Sequence, residues 1–315
     1  GVSVDIGTTT VAAYLYRLKD GLLCGTLAEK NPQAVFGADV ISRLGKSLSG
    51  DGKALAAAIR SCISRLITGL CRLAAIPQDK VDSIVLTGNT AMLYLLCGWN
   101  PSSITAAPFE QDCYFGMFAE AGELDLPLKA KVYLPRCISA YVGADITAAL
   151  LAAEFFQGGK VPSGAPRLLV DIGTNGEMAL AADGKLWCCS TAAGPAFEGA
   201  GIYQGMPART GAVYQVKLKE NRIVCSVLGD GEAAGICGSG LLDSVSVMCE
   251  AGVVDETGAI RQDGHPFSDY ITEAEGQPAF RLPQTGVVLT QKDIRSVQLA
   301  KSAICPGMKT IIKEA

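Results

Sequence analysis

Val4-Asp5-Ile6-Gly7-Thr8-Thr9-Thr10, near the start of the chain, is echoed by Val170-Asp171-Ile172-Gly173-Thr174-Asn175-Gly176 in its second half. Each copy is an apolar strand that runs into Asp, Ile, Gly, Thr and a small polar residue. A strand ending this way closes in a tight turn whose backbone amides and hydroxyls can hold a phosphate. The Asp at the strand end can hold the metal that travels with that phosphate. One such phrase is a weak signal, because turns of this kind arise by chance. Two copies in a repeated strand order predict two similar domains gripping one nucleotide.

The order around the first copy reads strand, strand, strand, helix, strand, helix, strand, helix. Residues 2–6 form a buried strand. Residues 11–18 and 22–29 pair around the turn Lys19-Asp20-Gly21. Apolar residues at helical spacing (Leu55, Ile59, Ile63, Leu66, Ile67, Leu70, Leu73) predict a helix over 53–75. A strand over 82–87 leads into Gly88-Asn89-Thr90, and a helix over 91–96 stops at Gly98. A strand over 131–134 and a helix over 144–156 complete a five-stranded, ribonuclease H-like domain over 1–157. Gln157-Gly158-Gly159 through Pro166 reads as the one clear linker, 158–166.

Beyond the linker the order restarts. Residues 168–172 form a strand, and 176–181 pairs with 185–189 around Asp183-Gly184. A further hairpin over 211–228 turns near Glu220-Asn221, and 291–312 is a long helix. The second domain, 167–315, carries an insertion over 194–290 with no counterpart in the first half. It also stops before the strand that should follow the long helix, so the expectation is a second domain incomplete at its C-terminus. Two Gly-rich phrases in the insertion, 194–199 and 235–240, bring Gly194 and Gly238 forward as residues that let backbone approach a ligand.

Composition narrows the function. The chain has 315 residues, enough for two domains without disulfide staples. Charged residues make up 18% and the net charge is -4, so no basic excess exists for nucleic acid. The apolar stretch 144–156 is too short and too charged to span a bilayer, and no membrane partner is expected. The 12 Cys lack C-x-x-C spacing and only one His, His265, is present, which argues against a zinc site. Reduced, mostly buried thiols in a cytoplasmic protein are the expectation. A cluster shared across a homodimer is the alternative.

Phosphoryl chemistry needs a metal held by carboxylates and donors arranged around the phosphate. Asp5 and Asp171 are the natural carboxylates. Gly7, Thr8, Thr9 and Thr10 supply donors on one side, and Gly173, Thr174, Asn175 and Gly176 on the other. Asn89, at the end of an interior strand, should open on the same cleft or act as a turn residue. Asp145 opens a helix, as a first-turn acid or a water-mediated metal contact. Glu198 and Lys292 read as surface or capping residues, and Cys237 as small-residue packing. The phrase Phe36 to Arg43 is a patterned loop-to-helix stretch with no function readable from its chemistry, and a solvated loop is the default.

The paired phrases resemble the phosphate loops of the actin, sugar kinase and heat-shock chaperone ATPase superfamily. The longer phrases are more specific. Asn31-Pro32-Gln33 with 36–43, Gly88-Asn89-Thr90, 138–145, 171–177, 191–199, 236–243 and 289–301 look like the reductive activators of corrinoid enzymes, over nearly the whole chain. The resemblance implies an α/β ATPase core that uses ATP and Mg2+ to return a partner's corrinoid cofactor from Co(II) to Co(I). It implies a corrinoid protein or corrinoid-dependent methyltransferase as partner. The electron would come from a preceding [2Fe–2S] ferredoxin domain, expected in the full-length protein and not in this chain, which should itself hold no iron. A Gly-Gly adenosine loop of the superfamily is expected beyond residue 315. Two other readings compete: a small-molecule kinase of the same superfamily, and a non-catalytic scaffold that docks on a corrinoid protein. A kinase needs a general base, and Asn89 stands where an Asp would serve.

Overall fold

The computed structural model describes residues 1–315. The chain divides into two compact units. One comprises Gly1–Arg167 with Ala181–Cys188, the other Leu168–Leu180 with Cys189–Ala315.

The first unit is built on strands β1 (Val2–Ile6), β2 (Thr10–Arg17) and β3 (Leu22–Lys30), helices α1 (Val40–Lys46) and α2 (Gly52–Leu73), strand β4 (Ser83–Gly88), helices α3 (Thr90–Cys97) and α4 (Ser102–Thr105), strands β5 (Met117–Glu120) and β6 (Lys131–Leu134), and helix α5 (Ala144–Ala152). Its sheet has the order β3-β2-β1-β4-β6-β5. β1 runs antiparallel to β2 and parallel to β4, which is parallel to β6. The sheet has six strands where the sequence predicted five. The extra one, β5, pairs antiparallel with β6 at the edge. Four residues with mostly exposed side chains carry no alternation from which to read a strand.

Alternation along β1 decides where the site opens. Val2, Val4 and Ile6 are buried on one face, while Asp5 on the other is exposed although β1 lies inside the sheet. The buried face is covered by α2, whose Leu55, Ile59, Ile63, Leu66, Ile67 and Leu70 all sit in the core. Each such side chain contributes about 1.5–3 kcal/mol relative to exposure. By length and hydropathy, Val40–Leu73 contains a segment that could cross a bilayer, but half of that segment is buried inside the protein, as in a core helix. α3 is mostly apolar and buried from Thr90 to Leu96, capped by Asn89 at its start and by Gly98, in the left-handed region, at its end. The phrase 36–43, a loop-to-helix stretch in sequence, leads into α1, with Asp39 accepting from the Ser42 amide at 2.8 Å as its N-cap.

The second unit contains most of β7 (Arg167–Ile172), with β8 (Gly176–Ala182), β9 (Lys185–Thr191), β10 (Ala212–Lys219), β11 (Arg222–Val227), β12 (Gly235–Ile236), α6 (Gly238–Glu250), β13 (Ile271–Ala274), β14 (Gln277–Arg281), β15 (Val288–Thr290) and α7 (Gln291–Glu314), the far ends of β8 and β9 grouping with the first unit. The strands form three-stranded sheets in the orders β7-β8-β9, β11-β10-β12 and β13-β14-β15. Asp183-Gly184 and Glu220-Asn221 all have positive φ, the signature of tight two-residue hairpin turns. β7, the counterpart of β1, pairs only with β8, whereas β1 has a parallel neighbour in β4.

Helix α6 was not predicted, because Gly238 and Gly240 at its start look like loop residues. A Cβ on Gly238 would collide with the Phe197 carbonyl, and one on Gly240 with that of Val213. Glycine here permits a helix to begin tight against neighbouring backbone. α7 starts with a reciprocal capping box. The Asp293 amide donates to Thr290 Oγ1 at 3.2 Å, and the Thr290 amide to Asp293 Oδ2 at 2.8 Å.

Candidate phosphate-binding turns

In the first unit, the ends of β1 and β4 and the start of α5 converge through three glycines. A Cβ on Gly7 would meet the Thr10 carbonyl, and one on Gly88 would lie 2.8 Å from the Ile6 carbonyl oxygen. A Cβ on Gly143 would collide with the backbone of Gly88 and Asn89. Any side chain at these positions would push the turn, the strand end and the helix start apart. Asp5, Gly7, Thr8, Thr9, Thr10, Asn89 and Asp145 therefore gather at one end of the sheet.

Asn89 bridges the start of α3 and the first turn. Its Oδ1 accepts from the Met92 amide at 2.9 Å, capping α3, and its Nδ2 donates to Thr8 Oγ1 at 3.4 Å. Asp145 Oδ1 accepts from the Ile146 amide at 2.8 Å in the first turn of α5. Asp5 faces Thr87 across the parallel ladder, and Thr87 Oγ1 is a buried hydroxyl with no hydrogen-bond partner. Behind the turn, Thr90 Oγ1 donates to the Ser139 carbonyl at 2.6 Å. Burial pushes the nearby Cys137 thiol up to about 11, so it stays protonated and inert at neutral pH.

Two residues that sequence reasoning left without a role support this turn. Asn31 and Arg43 are each 1% exposed. Asn31 Nδ2 donates to the Gly7 carbonyl at 2.8 Å. Arg43 Nε donates to the Gly37 carbonyl at 2.9 Å and Nη1 reaches Met92 Sδ at 3.8 Å. Desolvation lowers the Arg43 pKa, partly offset by Asp39.

In the second unit, Asp171 is exposed at the end of β7 and the turn closes with the Gly173 amide donating to the Asn175 carbonyl at 2.9 Å. Thr191 Oγ1 donates to the Gly176 carbonyl at 3.2 Å. Gly194 has φ near 80° and donates to the Thr174 carbonyl at 2.8 Å. Glu198, read as a surface or capping residue, lies at the heart of this turn. Its Oε1 accepts from the Thr174 amide at 2.9 Å and from the Thr174 hydroxyl. Gly238 packs on Phe197, the residue before Glu198. Cys237 is buried, with its thiol 3.5 Å from the Val213 carbonyl.

The residues of the first turn fit a magnesium nucleotide. Mg2+ is usually bound through one or two carboxylates with waters and substrate phosphates, not by a full protein cage. No three His, Cys, Asp or Glu side chains form a metal-binding group, while Asp5 offers an exposed carboxylate beside a turn of amides and hydroxyls. That donor set suits a metal that arrives with its phosphate.

Comparison with known proteins covers both units. Residues 1–157 match the family described as the RACo middle region, and residues 165–315 match the C-terminal domain of RACo, the ASKHA domain. The chain is 34% identical over 326 aligned residues to the corrinoid activation enzyme RamQ of Eubacterium limosum, covering 98% of this chain and 53% of that protein. It is 27% identical over 207 residues to a [Co(II) methylated amine-specific corrinoid protein] reductase of Methanosarcina barkeri, covering 59% of this chain and 34% of that protein. Among solved structures, the reductive activator for corrinoid, iron-sulfur protein superposes with a TM-score of 0.88 at 34% identity, over 100% of this chain and 51% of its own. The chain thus spans about half the length of these relatives, or less.

Proposed function

The chain belongs to the family of corrinoid reductive activators and has their ASKHA fold; from that membership we propose that it is the ATP-hydrolysing core of an activator that drives reduction of a partner's corrinoid cofactor from Co(II) to Co(I). The observation that carries the reading is the pair of Asp-x-Gly-Thr turns on corresponding strands, β1 and β7, within a chain of this family. Each turn offers amide and hydroxyl donors suited to a phosphate. In the first turn Thr8 supplies a hydroxyl and an amide and Asp5 the carboxylate for the Mg2+ that accompanies the nucleotide; Asp171 is the corresponding carboxylate of the second turn. The ion, when bound, neutralises phosphate charge as the terminal bond breaks.

The remaining work belongs to the chain. Binding of ATP and its loss as ADP and phosphate bias a conformational equilibrium, and the partner corrinoid protein senses that bias. An iron–sulfur donor of the full-length protein would supply the one electron that takes Co(II) to Co(I). Nucleotide and partner are linked reciprocally: if the partner binds the ATP state more tightly, ATP binds more tightly in the complex by the same factor. A kinase reading is weaker, because Asn89 caps α3 and donates toward Thr8, and its carboxamide cannot take a proton from a substrate hydroxyl.

The test is ATP turnover by the full-length protein, alone and with its corrinoid partner. Asp5→Ala and Asp171→Ala should each lower turnover by removing a carboxylate that positions the metal. Wild-type turnover in both variants would defeat the reading.

A further inference from the structure

The Asn-Pro-Gln phrase and the stretch 36–43 were visible in the sequence but had no role. The structure gives them one. Asn31 precedes Pro32, which confines it to extended backbone, here φ -62° and ψ 115°. From that position it caps a short 3-10 turn, its Oδ1 accepting from the Gln33 amide at 2.9 Å. The carboxamide orientation is thereby set: oxygen toward Gln33, nitrogen toward the phosphate turn. Gln33 in turn anchors to α2 through Nε2, which donates to the Leu55 carbonyl at 3.1 Å.

Asn31 holds the turn at two alternate carbonyls. Its Nδ2 donates to Gly7 O at 2.8 Å, and its backbone amide to Thr9 O at 2.9 Å. The Gly7–Thr8 and Thr9–Thr10 peptides are trans, the one cis bond lying at Ala107-Pro108. In a trans peptide the C=O and N–H point in opposite directions. Drawing the two carbonyls toward Asn31 therefore aims the Thr8 and Thr10 amides away from it. Met92 Sδ lies 3.8 Å from both Asn31 Nδ2 and Arg43 Nη1, so the buried guanidinium backs the same assembly from α1.

We propose that Asn31 is the positioning residue of the first phosphate turn: by holding the Gly7 and Thr9 carbonyls it presents the Thr8 and Thr10 amides to the nucleotide's phosphates, with Arg43 and Met92 as its brace. The proposal rests on the ATP reading above. It adds that the specificity of this turn for phosphate depends on a residue that does not itself touch the nucleotide.

The experiment uses the full-length protein and the variants Asn31→Ala and Asn31→Asp. The second keeps size and the acceptor for Gln33 but replaces the donor to Gly7 by an acceptor, so a folding failure of the first does not end the test. ATP and adenosine are titrated separately, and the methyl resonances of Thr8, Thr9 and Thr10 are followed by NMR in threonine-labelled protein. Loss of a buried hydrogen bond predicts ATP binding weakened about tenfold or more. Adenosine, which has no phosphate, should bind within about twofold of wild type, and the three methyl resonances should shift. Wild-type ATP affinity in both variants would overturn the role of Asn31. So would equal losses for ATP and adenosine, which would mark a general structural defect. A wild-type protein that binds no ATP would overturn the nucleotide reading itself, whatever the variants do.

Discussion

The amide and hydroxyl of Thr174 both donate to a single carboxylate oxygen of Glu198. In the first turn, Thr8 Oγ1 instead receives a long bond from a neutral amide, Asn89 Nδ2. The two turns read alike in sequence but differ in electrostatics. In the second, an internal anion holds the donors that a phosphate oxygen would use.

Two anions cannot share one pair of donors cheaply. Unit charges 4 Å apart repel by about 4 kcal/mol near a protein surface, less in salt. Glu198→Gln keeps the acceptor and removes the charge. ATP binding to the full-length variant should tighten about three- to tenfold. Titration showing unchanged or weaker binding would mean that Thr174 does not meet the phosphates, or that the carboxylate is needed with them.

Arg43 is the largest fully buried side chain and forms no salt bridge within the distances that define the other three ion pairs. Its substitution by Ala should leave a cavity in α1 and strip the Gly37 carbonyl of its donor. A loss of about 2–4 kcal/mol in unfolding free energy is expected by denaturant melts. A change within about 0.5 kcal/mol would show that the site relaxes around the loss.

The thiols separate by environment. Burial pushes Cys62, Cys137 and Cys225 up to about 11 and Cys97 to about 12, while Cys24 and Cys249 are exposed. At pH 8 a thiol with a pKa of 11 is about one-thousandth thiolate. Alkylation followed by peptide mapping should find Cys24 and Cys249 modified first. Early modification of Cys137 or Cys97 in folded protein would contradict the packing described for the first unit.

Asp39 offers a test in acid. The Ser42 amide and then its hydroxyl hold this carboxyl below the ordinary value of 3.8. A depressed folded value means stability that is present above 3.8 and is lost as pH falls through the folded value. The difference in melting temperature between wild type and Asp39→Ala should therefore shrink as pH drops through that window. The carboxyl is largely solvated, so the effect should be small and salt-sensitive. A difference that grows on acidification would reverse the assignment.

Much of the fold was legible because it is written in local patterns. The period-two alternation of β1, the helical stripe of α2 and the hairpin turns at Asp183-Gly184 and Glu220-Asn221 each depend on residues close in sequence. β5 and α6 were not legible. The first is short and exposed at an edge, and the second begins with glycines whose reason is a distant carbonyl, Phe197 for Gly238. The site divides the same way. Asp5, Thr8, Asp171 and Thr174 stand out through a repeated phrase. Asn31 acts on Gly7 across 24 residues of sequence, and Glu198 on Thr174 likewise across 24. Such pairings are made by tertiary packing, and a single sequence gives no sign of them.

The central claim is that ATP acting on this core drives corrinoid reduction. Its most direct test is the rate of Co(I) formation, followed spectroscopically, when the full-length protein meets its Co(II) corrinoid partner and a reductant. The account predicts rapid Co(I) formation only with ATP and Mg2+, and its loss in Asp5→Ala and Asp171→Ala proteins that remain folded. Equal rates with and without ATP, or undiminished ATP-dependent rates in both Asp variants, would contradict it.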